Sequence, residues 1–465
     1  MSKLQLKPHV FKEYDIRGQA GTDLTPDFAR LLGYAFGQLA KEQGHKKAIV
    51  GRDNRTSSPE LAANVIIGLR RAGLAVVDLG QVVSPVFYWA RLHYEVDPGI
   101  MVTASHNPPQ DNGFKIALGF ATIYGAAIQD LRQRMENLID EFDQEVRGLP
   151  PVEEQRPNPA YIEMITEKIK LDRPLKVVVD CGNGTASDVA VDLYTALGCE
   201  VVPLYCQSDP TFPNHHPDPV QPKNLVDLIK TVQENKADLG LSFDGDGDRI
   251  GVVDDQGNIL WGDQLMILFW REILPKYPGT TAIVEVKCSN ALVDEIKKLG
   301  GQPLFYRTGH SYIKAKLKEL NAPFTGEMSG HIFFADEYYG FDDALYAGAR
   351  LIRFLAQQEQ PLSQLLKDVS RYYSTPEVRV HCPEGSKEKV VEAVKEHFKK
   401  AYEVIDVDGA RVLFPNGWGL VRASNTQPVL VLRCEAKTKD ELNEITAAME
   451  EVLQRFPEVG EVSWG

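Results

Sequence analysis

The chain has 465 residues, with 51 Lys plus Arg against 65 Asp plus Glu and a formal net charge of −14. That length suggests three or four domains at about 100 to 200 residues each. The acidic balance argues against nucleic acid or an anionic membrane surface as the main partner, because phosphate backbones demand a basic footprint. A small anionic substrate stays compatible, since a few local Lys and Arg can offset the global charge. The cysteines (Cys181, Cys199, Cys206, Cys288, Cys382 and Cys434) include no close pair of the metal-knuckle or redox kind. Met1 to His9 lacks the apolar core of a signal peptide, and no stretch approaches the roughly 18 uninterrupted apolar residues of a membrane span. A soluble protein in a reducing, cytoplasmic compartment is expected.

In chain order, the first readable element is Tyr14-Asp15-Ile16-Arg17-Gly18, a turn-like segment that carries an arginine. A helix follows, capped by Thr25 with Pro26 at its first position and Phe28, Leu31, Leu32, Ala35, Phe36 and Leu39 on its apolar face. Lys47 to Gly51 reads as a strand leading into Arg52-Asp53-Asn54-Arg55. Ser58-Pro59-Glu60 opens a helix that ends near Gly73, and Leu74 to Leu79 is a second strand. A short helical stretch around Pro85 to Leu92 precedes the apolar run Gly99 to Val102, which stops at Thr103-Ala104-Ser105-His106-Asn107-Pro108. Pro108 and Pro109 remove two backbone donors and push Asn107 out of the α region, so Ser105 sits on a stiff loop fit to hold a nucleophile. Taken alone, such a segment is also compatible with a plain strand-ending turn. His106 is assigned to shaping the loop.

The same order recurs. A second copy runs from the strand Leu175 to Asp180 through a helix around Ala186 to Leu197, a strand at Glu200 to Tyr205, a helix around Leu225 to Gln233 and a strand at Ala237 to Phe243. A third runs from Ala282 to Val286 through the helix Ala291 to Leu299, the strand Gln302 to Tyr306, a helix around Tyr312 to Leu320 and the strand before Gly326. Three β-α-β-α-β units laid end to end imply mostly parallel sheets covered on both faces, with ligands at the carboxyl ends of strands. Those ends carry Ser105, then Asp244-Gly245-Asp246-Gly247-Asp248-Arg249, then Gly326-Glu327-Met328-Ser329-Gly330-His331. From about Ser370 the pattern changes to strand-like runs at Glu377 to His381 and Val429 to Cys434 and one long helix from about Lys439 to Phe456. Thr438 and Glu441 stand at capping-box spacing before that helix. This last part reads as a separate α+β domain with Arg422-Ala423-Ser424-Asn425-Thr426 on a loop. Glu153 to Pro159 reads as the first linker.

Asp244, Asp246 and Asp248 alternate with small residues and put hard oxygen ligands around one point, which suits magnesium or calcium. A calcium-binding helix-loop-helix loop would want glycine at Arg249 and glutamate at Asp255, between two helices. Here the flanks are strand-like, so magnesium shared with a phosphate fits better. A serine, a carboxylate-bound cation and scattered arginines together point to phosphoryl transfer through a phosphoserine. No nucleotide-binding glycine-lysine loop or kinase signature is present, so ATP is not the expected donor. Glu327 and Ser329 suit adjacent sugar hydroxyls, and Arg422, Ser424, Asn425 and Thr426 suit a phosphate.

These four loops, with Tyr14 to Gly18, Gly113-Phe114-Lys115, Lys287 and Gly309-His310, resemble the α-D-phosphohexomutase family over nearly the whole chain. The resemblance implies an α/β fold of four domains around a central cleft. Three repeated α/β units with mixed, mostly parallel sheets precede a C-terminal α+β domain like the TATA-binding protein. The domains expected are residues 1–152 with the phosphoserine loop, 153–256 with the metal loop, 257–369 with the sugar-binding loop and 370–465 with a phosphate-binding loop. By the same resemblance the active form is phosphorylated on Ser105. One Mg2+ per chain is held by Asp244, Asp246, Asp248 and a phosphoserine oxygen of Ser105. Arg17, Lys115, His310 and Arg249 form the catalytic set, with Lys115 and His310 as general acid/base candidates. Glu327 and Ser329 hold the sugar, while Lys287, His331, Arg422, Ser424, Asn425 and Thr426 contact sugar or distal phosphate. The implied reaction interconverts hexose 1-phosphate and 6-phosphate through a hexose 1,6-bisphosphate. Met328 between Glu327 and Ser329 looks like the group acting on mannose and glucose; a glutamine there would have pointed to the alternative, a phosphoglucosamine mutase. A non-catalytic protein that binds a divalent cation or sugar phosphate would keep the acidic loop and Arg422 without needing a phosphate on Ser105. Small sugar phosphates, and neither nucleic acid nor membrane, are the expected partners of a monomer or weak homo-oligomer.

Overall fold

The computed structural model describes residues 4–142, 148–424 and 427–464. They fall into two compact units, one made of Met1–Gly262 with Ser329–Leu365 and the other of Asp263–Met328 with Leu366–Gly465.

The first unit holds two mixed sheets. Strands β1 (Ile16–Gln19), β2 (Lys47–Arg52), β3 (Ala75–Gln81), β4 (Gly99–Val102), β5 (Asp111–Ala117) and β6 (Val152–Glu154) are arranged in the order β1-β5-β4-β2-β3-β6. β4, β2, β3 and β6 pair in parallel, while β5 pairs antiparallel with both β4 and β1. Helices α1 (Pro26–Glu42), α2 (Ser58–Arg71), α3 (Ser84–His93) and α4 (Ala126–Leu138) accompany this sheet. Thr25 Oγ1 accepts the Phe28 N–H as the helix cap expected from the sequence. Phe28, Leu31, Leu32, Ala35 and Phe36 are then fully buried on one face of α1, each large side chain contributing about 1.5 to 3 kcal/mol by leaving water. α1 and α2 cross at glycines: a Cβ at Gly68 would meet the Arg30 carbonyl oxygen at 2.1 Å, and one at Gly33 the Val65 carbonyl oxygen at 2.3 Å. Only residues without a side chain allow backbones that close. The stretch read as a linker opens with β6, a third parallel neighbour along that sheet edge, before α5 (Asn158–Lys168) begins.

In the second sheet, β7 (Lys176–Asp180), β8 (Glu200–Leu204), β9 (Leu239–Phe243), β10 (Ile250–Asp254) and β11 (Ile259–Leu260) take the order β11-β10-β9-β7-β8, with α6 (Ala190–Ala196) and α7 (Val226–Asn235) as crossovers. β8, β7 and β9 are parallel, and β10 returns antiparallel beside β9. Both sheets therefore share a device that the repeat alone did not reveal. The third strand of each copy, β4 or β9, runs into its polar loop, and the chain comes straight back as an antiparallel strand, β5 or β10. That return places residues on both sides of each loop next to one another, so Lys115 on β5 stands opposite Met101 of β4, two residues before Thr103.

The second unit contains α8 (Gly262–Ile273), the parallel pair β12 (Thr281–Glu285) and β13 (Gln302–Tyr306), α9 (Asn290–Lys298), α10 (His310–Leu320) and β14 (Phe324–Gly326). It also holds an antiparallel sheet of Tyr373–Ser374, Val378–His381, Glu403–Ile405, Ala410–Phe414, Gly417–Ala423 and Val429–Ala436, with helices Lys387–Phe398 and Lys439–Leu453. The Thr438–Glu441 capping box forms as read from its spacing. Ile445, Met449, Val452 and Leu453 bury against that sheet. Among the described residues no helix is long and apolar enough to cross a membrane.

Candidate active site

In the first unit, Ser105 adopts a left-handed backbone conformation with φ +52°. For a residue with a Cβ this costs about 1 to 3 kcal/mol and persists only where the surroundings over-determine it. They do so here. The Ser105 N–H donates to Thr103 Oγ1 (2.9 Å), and its hydroxyl donates to Asp244 Oδ2 (2.7 Å) while lying 3.1 Å from His106 Nδ1. The Ser105 carbonyl accepts from Arg55 Nη2 (2.8 Å). Gly245 lets the acidic loop come this near, because a Cβ there would meet the Ser105 carbonyl oxygen at 2.4 Å. Arg17 approaches the same loop, donating to Asn107 Oδ1 (2.9 Å) from Nη1 and to Asp15 (2.6 Å) from Nε.

The three aspartates are buried, and one oxygen from each lies within 4.8 Å of the others. Asp244 Oδ1 accepts the N–H groups of Asp248 (3.0 Å) and Arg249 (3.1 Å). Asp246 Oδ2 accepts from Ser84 Oγ (2.6 Å) and Lys115 Nζ (2.7 Å), and Lys115 also donates to Asp248. Burial, then repulsion from Asp248 and Asp246, drives the Asp244 carboxyl well above its ordinary range. Burial works against the Lys115 ammonium, but Asp246 and Asp248 outweigh it and hold the group well above an ordinary lysine. Asp246 Oδ1 is buried with no hydrogen-bond partner among the described residues, a costly state for a carboxylate oxygen. An oxygen-only cluster with a buried, unsatisfied oxygen fits a hard divalent cation, so this donor set could hold a metal ion. His331 Nε2 lies 3.3 Å from Asp248 Oδ1 and 3.4 Å from Arg249 Nε, and Ser329 Oγ is 3.0 Å from His331 Nδ1. Arg17, Ser105, Lys115, the aspartates, Arg249, Ser329 and His331 are thus linked within one unit.

In the second unit, two acids missed in the sequence organise the remaining residues. Glu285 lies 4.0 Å from Lys287 Nζ, accepts from Thr308 Oγ1 and takes the Met328 N–H at 3.4 Å. Asp408 Oδ2 accepts from Arg422 Nε (2.8 Å) and from the Thr308 N–H (3.0 Å). Glu327 Oε1 accepts the N–H of Gly309 (2.7 Å), the residue before His310 at the start of α10. Lys287 donates to Glu377 (2.9 Å); attraction to Lys287 outweighs burial and holds the Glu377 carboxyl far below its usual range. Lys387 Nζ donates to the Ser424 carbonyl (2.6 Å) and fixes the start of the C-terminal loop. Asn425 and Thr426 lie outside the described residues.

Sequence reasoning also missed Ser84 and Arg55, and it assigned His106 to shaping the loop. Ser84 bonds to Asp246 through both its hydroxyl and its backbone N–H (2.8 Å). His106 touches the Ser105 hydroxyl itself, and burial, then the charges of Arg249 and Arg17, keep its imidazole well below the ordinary pKa. The Ser-Pro start of α3 was readable, but nothing local tied it to an aspartate 162 residues away.

A hydroxyl in a strained turn, facing a cation-ready carboxylate cluster at the carboxyl ends of α/β strands, defines a class of multidomain α/β enzymes of group transfer. Comparison with known proteins narrows it. The phosphoglucomutase/phosphomannomutase alpha/beta/alpha domains I, II and III match residues 8–142, 159–257 and 261–373, and the C-terminal domain of that family matches 377–452. A phosphomannomutase/phosphoglucomutase of Pseudomonas aeruginosa is 44% identical over 450 residues, covering 97% of this chain and 96% of that protein. A phosphoglucomutase of Neisseria meningitidis is 44% identical over 452 residues, covering 96% and 97%. The crystal structure of a phosphoglucomutase/phosphomannomutase family protein from Burkholderia thailandensis superposes with a TM-score of 0.89 at 43% identity, covering 97% of this chain and 98% of that one. The chain belongs to the phosphoglucomutase/phosphomannomutase family, with its four-domain α/β architecture. It is an enzyme, a mutase of the isomerase class.

Proposed function

We propose that this phosphohexomutase interconverts hexose 1-phosphate and hexose 6-phosphate, of mannose, glucose or both, with Ser105 as the phosphoryl carrier. The observation that carries the reading is the Ser105 hydroxyl, donated to Asp244 at 2.7 Å beside Asp246, Asp248 and Lys115. In the forward half-reaction the bond from phosphorus to Ser105 Oγ breaks as a sugar hydroxyl oxygen bonds to phosphorus. The sugar hydroxyl proton passes to a protein base, for which His310 is the candidate, and Lys115, held as an ammonium by Asp246 and Asp248, is the candidate acid that returns a proton to Ser105 Oγ. The resulting 1,6-bisphosphate reorients, and its other phosphoryl group returns to Ser105, so nothing is consumed. Asp244, Asp246 and Asp248 would hold one magnesium ion, whose charge offsets that of the transferring group. Arg17 and Arg249 supply further positive charge on the same side. Glu327 and Ser329 take the sugar hydroxyls, and Lys287, His331, Arg422 and Ser424 contact sugar or the distal phosphate. Four folding domains with boundaries near residues 152, 256 and 369 complete the reading.

The test is phosphopeptide mapping of the purified chain together with Ser105→Ala. Phosphate is expected on Ser105, and the variant should lose turnover by at least about 1,000-fold while keeping its fold. Turnover that survives the substitution would remove Ser105 from the mechanism. Assays with mannose, glucose and glucosamine 1-phosphates side by side decide the sugar.

A further inference from the structure

Arg55 stands outside every role assigned so far, yet its side chain donates to four carbonyls of the serine loop. It is 1% exposed. Its Nη2 donates to the carbonyls of Ser105 (2.8 Å) and Asn107 (2.7 Å), and its Nη1 to those of Pro108 (2.6 Å) and Asp111 (3.0 Å). All four acceptors belong to the single stretch that carries the hydroxyl from β4 to β5. The third nitrogen, Nε, donates to Asp53 Oδ2 (3.1 Å), and Asp53 Oδ1 accepts the Arg55 N–H (3.0 Å) and the Ser58 hydroxyl. The guanidinium carbon lies 5.7 Å from the Phe212 ring centroid.

Those contacts have a purpose that the fold alone does not require. The loop turns four carbonyls toward one guanidinium, and that of Ser105, on a buried residue, would lose this donor without it. A planar guanidinium presents its donors as a fixed fork, so it can hold four oxygens in one geometry; a lysine ammonium offers three donors from a single point and cannot. Asp53 in turn fixes the fork from behind. Because the Ser105 carbonyl is clamped while its backbone is left-handed, the direction of the Cα–Cβ bond is fixed as well. We propose that Arg55 is a positioning residue for the nucleophile: it acts through the backbone of the 105–111 loop to aim Ser105 Oγ, without touching the substrate. This rests on the reading of Ser105 as the phosphoryl carrier.

Arg55→Lys and Arg55→Met test it. Each is compared with wild type for kcat, KM for glucose 1-phosphate, the half-saturating magnesium concentration, and the single-turnover rate of phosphate transfer from the phosphorylated enzyme to sugar. Misaiming a reacting atom by about 1 Å costs about 100-fold. Both variants should therefore lose about 10- to 100-fold in kcat and in single-turnover rate, with KM and the magnesium requirement within about twofold of wild type. Ser105 should still be found phosphorylated. A folded Arg55→Lys enzyme with wild-type transfer would overturn the proposal, as would a loss expressed in KM with the transfer step unchanged. If neither variant folds, Arg55 serves the fold and the proposal also ends. Absence of phosphate on Ser105 in the wild-type enzyme would instead overturn the phosphoryl-carrier reading, so the two failures are distinct.

Discussion

Asp246 carries two unlike oxygens: Oδ2 is bonded to Ser84 and Lys115, and Oδ1 is buried without a hydrogen-bond partner among the described residues. Replacing it by asparagine keeps the shape and removes the charge that a divalent cation needs. Asp246→Asn is expected to raise the half-saturating magnesium concentration by at least about 10-fold and to lower turnover. Titration of magnesium against activity checks it, and an unchanged half-saturation with an unchanged rate would take the metal role away from the acidic loop. A second residue-scale effect concerns acid stability. Glu377 is ionised far below the ordinary glutamate value of 4.5 because Lys287 attracts it. A carboxyl depressed in the folded state contributes stability that is fully present above its unfolded pKa and is lost as pH falls through the folded value. Glu377→Gln should therefore destabilise the protein by about 1.5 to 3 kcal/mol near neutral pH. The difference from wild type should shrink as pH falls below about 4.5. Urea unfolding at a series of pH values reads both; a gap that widens on acidification would contradict the sign.

Among the elements, the α1–α2 crossing is the place where sequence propensity and packing disagree most clearly. Alanine at position 68 would favour α2 by about 1 kcal/mol in a free helix. In the fold its Cβ would lie 2.1 Å from the Arg30 carbonyl oxygen of α1, and backbone cannot swing aside as a flexible side chain could. Overpacking of that kind costs about 1 to 3 kcal/mol. Gly68→Ala should lower the melting temperature, and a higher one would show that the helices can part without loss. The elements also show why some structure was illegible beforehand. β9 and β10 both read as strand-like, but they are buried along their whole length, so no alternation in their sequence marks β10 as an antiparallel return beside β9. α4 buries only Ile128, Leu131 and Met135, a narrow stripe among glutamines, aspartate and arginines that gives a weak helical signal.

For the whole molecule, a mutase that handles both ends of a sugar must bind two differently placed phosphates in turn. If the loop at 422–424 anchors whichever phosphate is not reacting, Arg422 serves the 1-phosphate and the 6-phosphate alike. Forward and reverse catalytic efficiencies cannot separate the two, because the reaction equilibrium fixes their ratio in every variant. Binding can. In a Ser105→Ala background, Arg422→Ala should weaken glucose 1-phosphate and glucose 6-phosphate by similar amounts, about 1.5 to 3 kcal/mol or roughly 10- to 150-fold. Loss of affinity for only one of them, read by calorimetry, would require a separate pocket for each phosphate.

What the sequence determined by itself is whatever depends on neighbours a few residues away. That covers the Thr25 and Thr438 caps, the strand and helix alternation repeated three times, and the placing of Ser105, the aspartates and Glu327 on loops after strands. Their residue types already suggested a cation and a phosphoryl carrier. Tertiary structure alone decided which buried groups steady those loops. Arg55 meets Ser105 from 50 residues away, Ser84 meets Asp246 from 162, and Lys287 meets Glu377 from 90. Asp408 joins Thr308 to Arg422 across 100 residues. A buried charge or dipole persists only where a partner of the right chemistry closes around it. Because that partner is chosen in space rather than along the chain, no local pattern of residues records it.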